Sequence, residues 1–149
     1  DAAGEESGKQ GKGGFLTVDN KVGRGVFSAI SLDGRPLPES KRTLLLHLTD
    51  NRLEGMEFKS GHGLTIYRDG SGRMLGRKGT ASFALALPEK TWKLHALDCS
   101  GRRLAEIPFR REQGELRFTA DTFQVPDQVV FAYELTAQRR RNSARPVTR

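Results

Sequence analysis

The sequence predicts an all-β protein, an antiparallel two-sheet sandwich of the immunoglobulin-like or jelly-roll-like kind. Three observations predict it. Apolar and polar residues alternate in short runs, the period of a half-buried strand. The runs are separated by turns rich in Asp and Gly, as at Asp33-Gly34 and Asp98-Cys99-Ser100-Gly101. No stretch of ~10 or more residues holds a helical period of 3.6.

In chain order, structure is expected to begin at Phe15-Leu16-Thr17-Val18. From Val26 the alternation is clear: Val26, Ser28, Ile30 and Leu32 share one face, with Phe27 and Ala29 on the other. Leu32 to Pro38 breaks it, because its two prolines exclude helix and central strand. Arg42 to Thr49 follows, with Leu44, Leu46 and Leu48 on one face and Leu45 and His47 on the other. It reads as a strand buried on one side and partly covered on the other.

Asp50 to Lys59 fits neither period. Leu64 to Tyr67 and Met74-Leu75 are short strand candidates around the turn Asp69 to Gly72. Ala81, Phe83, Leu85 and Leu87 then alternate with smaller residues until Pro88 ends the run. Trp92, Leu94 and Ala96 form the next strand, and Ala105, Ile107 and Phe109 return. Arg110 to Gly114 reads as a turn, Leu116, Phe118 and Ala120 as a strand, and Val129, Phe131, Tyr133 and Leu135 as the closing strand.

The chain has 149 residues, enough for one domain. The expected organisation is a disordered linker over 1–13, the sandwich over 14–136 and a basic disordered tail over 137–149. The linker has no large apolar side chain with which to offset its ordering entropy. The sequence begins without Met and shows no signal peptide, which reads as a processed chain or a piece of a longer one. No apolar run approaches the ~20 residues of a membrane helix.

The net charge of +7 suggests nucleic acid, but its distribution argues against that partner. Arg139, Arg140, Arg141, Arg145 and Arg149 carry five of the charges in the tail; over 14–136, 18 bases face 15 acids, an ordinary mixed surface.

No constellation carries evident chemistry. His47, His62 and His95 lie in separate segments and are read as surface or edge histidines; Cys99 has no cysteine partner. Neither a metal nor any other cofactor is expected. Asp33, Asp69 and Asp98 precede turn glycines, which suits them to bond turn backbone. Glycan recognition needs exposed aromatic faces. Tyr67, beside a turn, is the best-placed candidate and Trp92 the second, with Tyr133 and Phe123 behind them. Trp92 and Tyr133 keep phase with apolar neighbours, which favours core, and an aromatic content of 7% is low for a sugar-binding module.

Two groups of motifs carry a resemblance. Ser31-Leu32-Asp33-Gly34-Arg35-Pro36-Leu37-Pro38-Glu39-Ser40-Lys41-Arg42, followed by alternating leucines, resembles a strand–turn–strand in the C-terminal β-sandwich that stands behind the catalytic barrel of large secreted bacterial glycoside hydrolases. Ala96-Leu97-Asp98, Gly101-Arg102-Arg103, Gly114 to Phe118 and Phe131-Ala132-Tyr133-Glu134-Leu135 resemble the closing meander of that module, and Leu16 to Asp19 its opening strand. Asn20 to Arg24 departs from the segment that usually continues this strand. The family's catalytic residues belong to the barrel, so the resemblance implies no catalytic residue here. It implies a non-catalytic accessory domain that packs on or orients a barrel of the same parent chain, in a secreted, periplasmic or cell-surface setting. The competing expectation is a carbohydrate-binding module that meets a polysaccharide through Tyr67 and Trp92.

Overall fold

The computed structural model describes residues 10–12, 14–59 and 65–138. Fourteen short strands account for its regular structure apart from one 3-10 turn at Leu37–Glu39. They are β1 (Gln10–Lys12), β2 (Leu16–Val22), β3 (Val26–Ser31), β4 (Arg42–Leu48), β5 (Asn51–Leu53), β6 (Glu57–Phe58), β7 (Ile66–Arg68), β8 (Met74–Gly76), β9 (Thr80–Ala86), β10 (Trp92–Leu97), β11 (Arg103–Glu106), β12 (Arg110–Glu112), β13 (Glu115–Asp121) and β14 (Ala132–Ala137).

Ten of them build two antiparallel five-stranded sheets, in the orders β1-β2-β9-β13-β12 and β11-β10-β14-β4-β3. The predicted two-sheet sandwich is the observed architecture. Alternation places Val18, Phe83, Leu85, Leu116 and Phe118 of the first sheet against Leu45, Leu94, Tyr133 and Leu135 of the second, all buried. Each such side chain contributes about 1.5–3 kcal/mol by leaving water.

A row of rings runs through this core from sheet to sheet. His47 of β4 stacks on Phe27 of β3, with ring centroids 5.0 Å apart. Phe27 meets the edge of Phe83 in the opposite sheet at 5.8 Å, Phe83 stacks on Phe118 at 5.0 Å, and Phe118 meets Tyr133 at 5.3 Å back in the second sheet. The Tyr133 hydroxyl ends the row in a polar seat: it accepts from Gln124 Nε2 at 2.8 Å and donates to the carbonyl of Asp121 at 3.4 Å. Burial pushes its ionisation well above the ordinary phenol range.

Four expectations change. The buried side of β4 is Thr43, Leu45 and His47, and the three leucines lie on the outer face of the sheet. Cross-strand register decides this, because Phe27 lies opposite His47 and Ala29 opposite Leu45, and the Phe27 and His47 rings both meet Phe83 of the other sheet. His47 is therefore a core residue and not a surface one. Arg110 to Glu112 is strand β12, and its turn narrows to Gln113-Gly114, both at positive φ. Val129 and Phe131 precede the closing strand, which starts at Ala132. Gln10–Lys12, inside the expected linker, pairs with Thr17–Asp19 as an edge strand; the rest of that linker and tail residues 139–149 lie outside the described residues.

β5 to β8 join neither sheet. β5 pairs with β8 and β6 with β7, so residues 51–59 and 65–76 form a two-stranded arm between β4 and β9. Its root is fastened. Thr49 Oγ1 donates to the carbonyl of Arg77 at 2.8 Å, and Thr122 Oγ1 accepts from the backbone N–H of Gly79 at 2.9 Å. Only glycine fits there, since a Cβ on Gly79 would lie 2.6 Å from Thr49 Cγ2 and 3.0 Å from His47 Nε2.

His47 is fully buried, and among the described residues neither of its ring nitrogens has a hydrogen-bond partner. Burial holds its pKa below the ordinary 6.5, with Asp121 opposing in part. A pKa depressed by folding means stability that is present above the unfolded value and lost as pH falls below it. The melting temperature is expected to drop as pH goes from about 7 to about 5. His95, shifted the same way, contributes to that slope. His47→Leu is expected to flatten it in part; identical thermal melts of variant and wild type across this range would refute the assignment.

Candidate functional site

The outer face of the second sheet carries an ion network. Along β14 the side chains alternate, so Tyr133 and Leu135 enter the core while Glu134 points away from it. Glu134 is nevertheless sealed, with 5% of its side chain exposed. Two arginines seal it. Arg42 Nε of β4 donates to Oε1 at 2.5 Å, and Arg103 Nε of β11 donates to Oε2 at 2.7 Å. Burial raises the pKa of this carboxyl, but the two guanidinium groups outweigh it and hold the group below its ordinary value.

This face is divided. Towards β11 it is polar, with Lys93 donating to Glu106 at 2.8 Å and His95 opposite both Glu106 and Glu134. Towards β3 it is aliphatic. Val26, Ile30, Leu32 and Leu48 are exposed, Val26 at 66%, beside half-buried Leu44 and Leu46.

The arm carries a second set of exposed apolar side chains. Ile66, Tyr67, Met74 and Leu75 are exposed, Met74 at 62%, and Phe58 lies opposite Ile66. Tyr67, the best sequence candidate for a sugar platform, stands there at 64% exposure, next to the Arg68–Glu57 ion pair at 2.8 Å. Trp92 is a correction. It is 4% exposed, its indole N–H donates to the carbonyl of Pro88 at 3.2 Å, and neither ring face is open to a sugar. The two are not brought together: one ring lies in the core, the other on the arm. Tyr133 is core, and Phe123 is exposed after β13.

A depression of about 780 Å³ opens beside β12 and β13. Thr17, Asp19, Ser82, Arg110, Arg117 and Phe109 help line it; neither Tyr67 nor Trp92 does. Its charges are balanced locally, because Arg117 pairs with Glu115 at 2.6 Å and Arg110 with Glu112 at 3.4 Å.

Two of the three turn aspartates, Asp33 and Asp98, bond backbone as expected, whereas Asp69 accepts no backbone bond among the described residues. Asp33 accepts from the backbone N–H of Lys41 and from the hydroxyls of Ser40 and Ser31, which hold it far below the ordinary carboxyl range. Asp98 accepts from the Ser100 hydroxyl and from the backbone N–H groups of Arg102 and Ser100, and is lowered to about 2. Cys99 is an exposed free thiol. His62 lies outside the described residues. Among the described residues, no group of three His, Cys, Asp or Glu side chains is placed to hold a metal ion, and no helix is long and apolar enough to cross a membrane.

Sequence reasoning missed the Glu134 network. Its one visible signal was a carboxylate in an otherwise apolar closing strand; Arg42 and Arg103 are 92 and 31 residues away in sequence. Compared with protein-family models, with curated proteins and with solved structures, the chain matches none. What the geometry defines is a two-sheet β-sandwich with an arm and two sets of exposed apolar side chains.

Breaking the network from its two sides is expected to have unequal cost. Replacing Arg42 and Arg103 together by Met strands a buried carboxylate and is expected to cost about 1–3 kcal/mol. Glu134→Leu leaves only half-exposed arginines and is expected to change stability by less than about 1 kcal/mol. Equal losses in urea unfolding would contradict this account.

Proposed function

We propose that this chain is a non-catalytic accessory β-sandwich domain of a secreted carbohydrate-active enzyme, packing on and orienting a catalytic barrel of the same parent chain. The observation that carries the reading is the arm. The sandwich completes its core without Ile66, Tyr67, Met74 and Leu75, yet leaves them in water on a fastened projection. Four large apolar side chains exposed on one short projection suit a segment that another protein covers. The barrel as partner comes from the motif resemblance. The residues that carry it, Asp33, Ser40, Arg42, Asp98, Arg102, Arg103 and Glu134, here do structural work in turns and between strands.

The test is direct. The reading frame upstream of Asp1 is expected to encode a (β/α)₈ barrel with acidic residues at its strand ends. That barrel, supplied as a separate chain, is expected to bind the sandwich. Ile66→Asp with Met74→Asp is expected to weaken binding at least about tenfold without lowering the melting temperature of the sandwich. No barrel upstream, or binding indifferent to the arm, overturns the reading. So does glycoside hydrolysis by the pure chain that a single Asp or Glu substitution abolishes.

A second reading, a carbohydrate-binding module, is favoured by the open ring of Tyr67 beside Arg68 and Glu57. It expects calorimetric binding of a plant, algal or mucin-type glycan that Tyr67→Ala removes. Silence across that panel rejects it.

A further inference from the structure

The two sheets have four edge strands, and three of them are protected. β1 and β12 have three residues each, and β11 has four; β1 includes Gly11 and Lys12, β11 begins with Arg103 and ends with Glu106, and β12 is wholly charged. Short, charged edges resist pairing with another chain. β3 is the exception. It has six residues, Val26-Phe27-Ser28-Ala29-Ile30-Ser31, with no charge and no proline.

The free side of β3 follows from its ladder. The N–H of Leu32 donates to the carbonyl of Arg42, the residue opposite it. Hydrogen-bonded pairs alternate along an antiparallel ladder. The backbone groups of Val26, Ser28 and Ile30 therefore point to β4, and those of Phe27, Ala29 and Ser31 point outward. Among the described residues no other segment bonds to them.

We infer that a second copy of this chain covers this edge, β3 pairing antiparallel with β3 about a two-fold axis at Ser28. That register keeps the two copies' faces aligned, as a one-residue shift would not. It sets Val26 opposite Ile30 of the second copy, Ile30 opposite its Val26, and Ser28 opposite its Ser28. Phe27 and Ala29 of one chain exchange backbone hydrogen bonds with Ala29 and Phe27 of the other. On the outer face the exposed Val26 and Ile30 of both copies join the bands of Leu44, Leu46 and Leu48 into one aliphatic strip. The same register brings Arg24 of one copy to the turn holding the ionised Asp33 of the other, a complementary pair at each end. A second copy fits this edge because its sequence is its own complement about Ser28. The inference does not involve the arm.

The full chain is expected to show a concentration-dependent dimer in sedimentation equilibrium. Val26→Lys or Ile30→Lys is expected to weaken it at least about tenfold, with an unchanged melting temperature at concentrations where the wild type is monomeric, since both side chains are already exposed there. Met74→Asp on the arm is expected to leave it intact. Register is read by crosslinking in a Cys99→Ser background. A non-hydrogen-bonded pair brings Cβ atoms to about 4.5–5.5 Å, close to disulfide reach. Ser28→Cys is expected to oxidise to a covalent dimer. Ile30→Cys alone is not, but it is expected to crosslink when mixed with Val26→Cys. A wild-type chain that stays monomeric, a dimer indifferent to Val26→Lys, or equal crosslinking at 28 and 30 alone overturns the inference.

Discussion

The second sheet is organised around one carboxylate. Glu134 sits on a face that alternation assigns to solvent, yet it is almost fully covered. Its desolvation is offset by Arg42 and Arg103, each donating through Nε, so that three strands of the sheet are held at one point. Hydrogen bonds along a ladder tolerate slippage, whereas two ion contacts joining side chains on three strands at one carboxylate do not. A slip of β14 by one residue would turn Glu134 into the core and Tyr133 out of it.

Register then fixes the interior. With β14 in place, Tyr133 enters the core and closes the row of rings that begins at His47 and crosses between the sheets through Phe27, Phe83 and Phe118. The row ends differently on its two sides. The Tyr133 hydroxyl finds both an acceptor and a donor, while the His47 nitrogens find neither. The histidine end lies against Gly79 at the root of the arm, so the core imidazole that burial keeps from protonating sits where the arm joins the body.

The two sets of exposed apolar side chains are different in kind. The arm bears large aliphatic and aromatic side chains and a methionine on strands outside both sheets, which suits packing against an irregular protein surface. β3 bears β-branched residues and, among the described residues, one backbone edge to which no strand bonds, which suits another strand.

The sequence alone determined the fold class, the position of nearly every main-sheet strand and the backbone-bonding role of Asp33 and Asp98. Period-two alternation and turn chemistry are local properties, and each can be read within a few residues. It also marked Trp92 as in phase with core residues, and the structure puts it there. Tertiary structure decided which side of β4 faces inward, where His47 lies, that Asp50 to Lys59 belongs to an arm, and that Arg42, Arg103 and Glu134 meet. Strand β4 shows why: one of its faces offers three leucines and the other a leucine and a histidine, so composition favours the wrong side. The choice belongs to the ring row and the β3 register, which join residues far apart in sequence. Alternation says that a strand has two faces; only pairing across sheets says which of them the core receives.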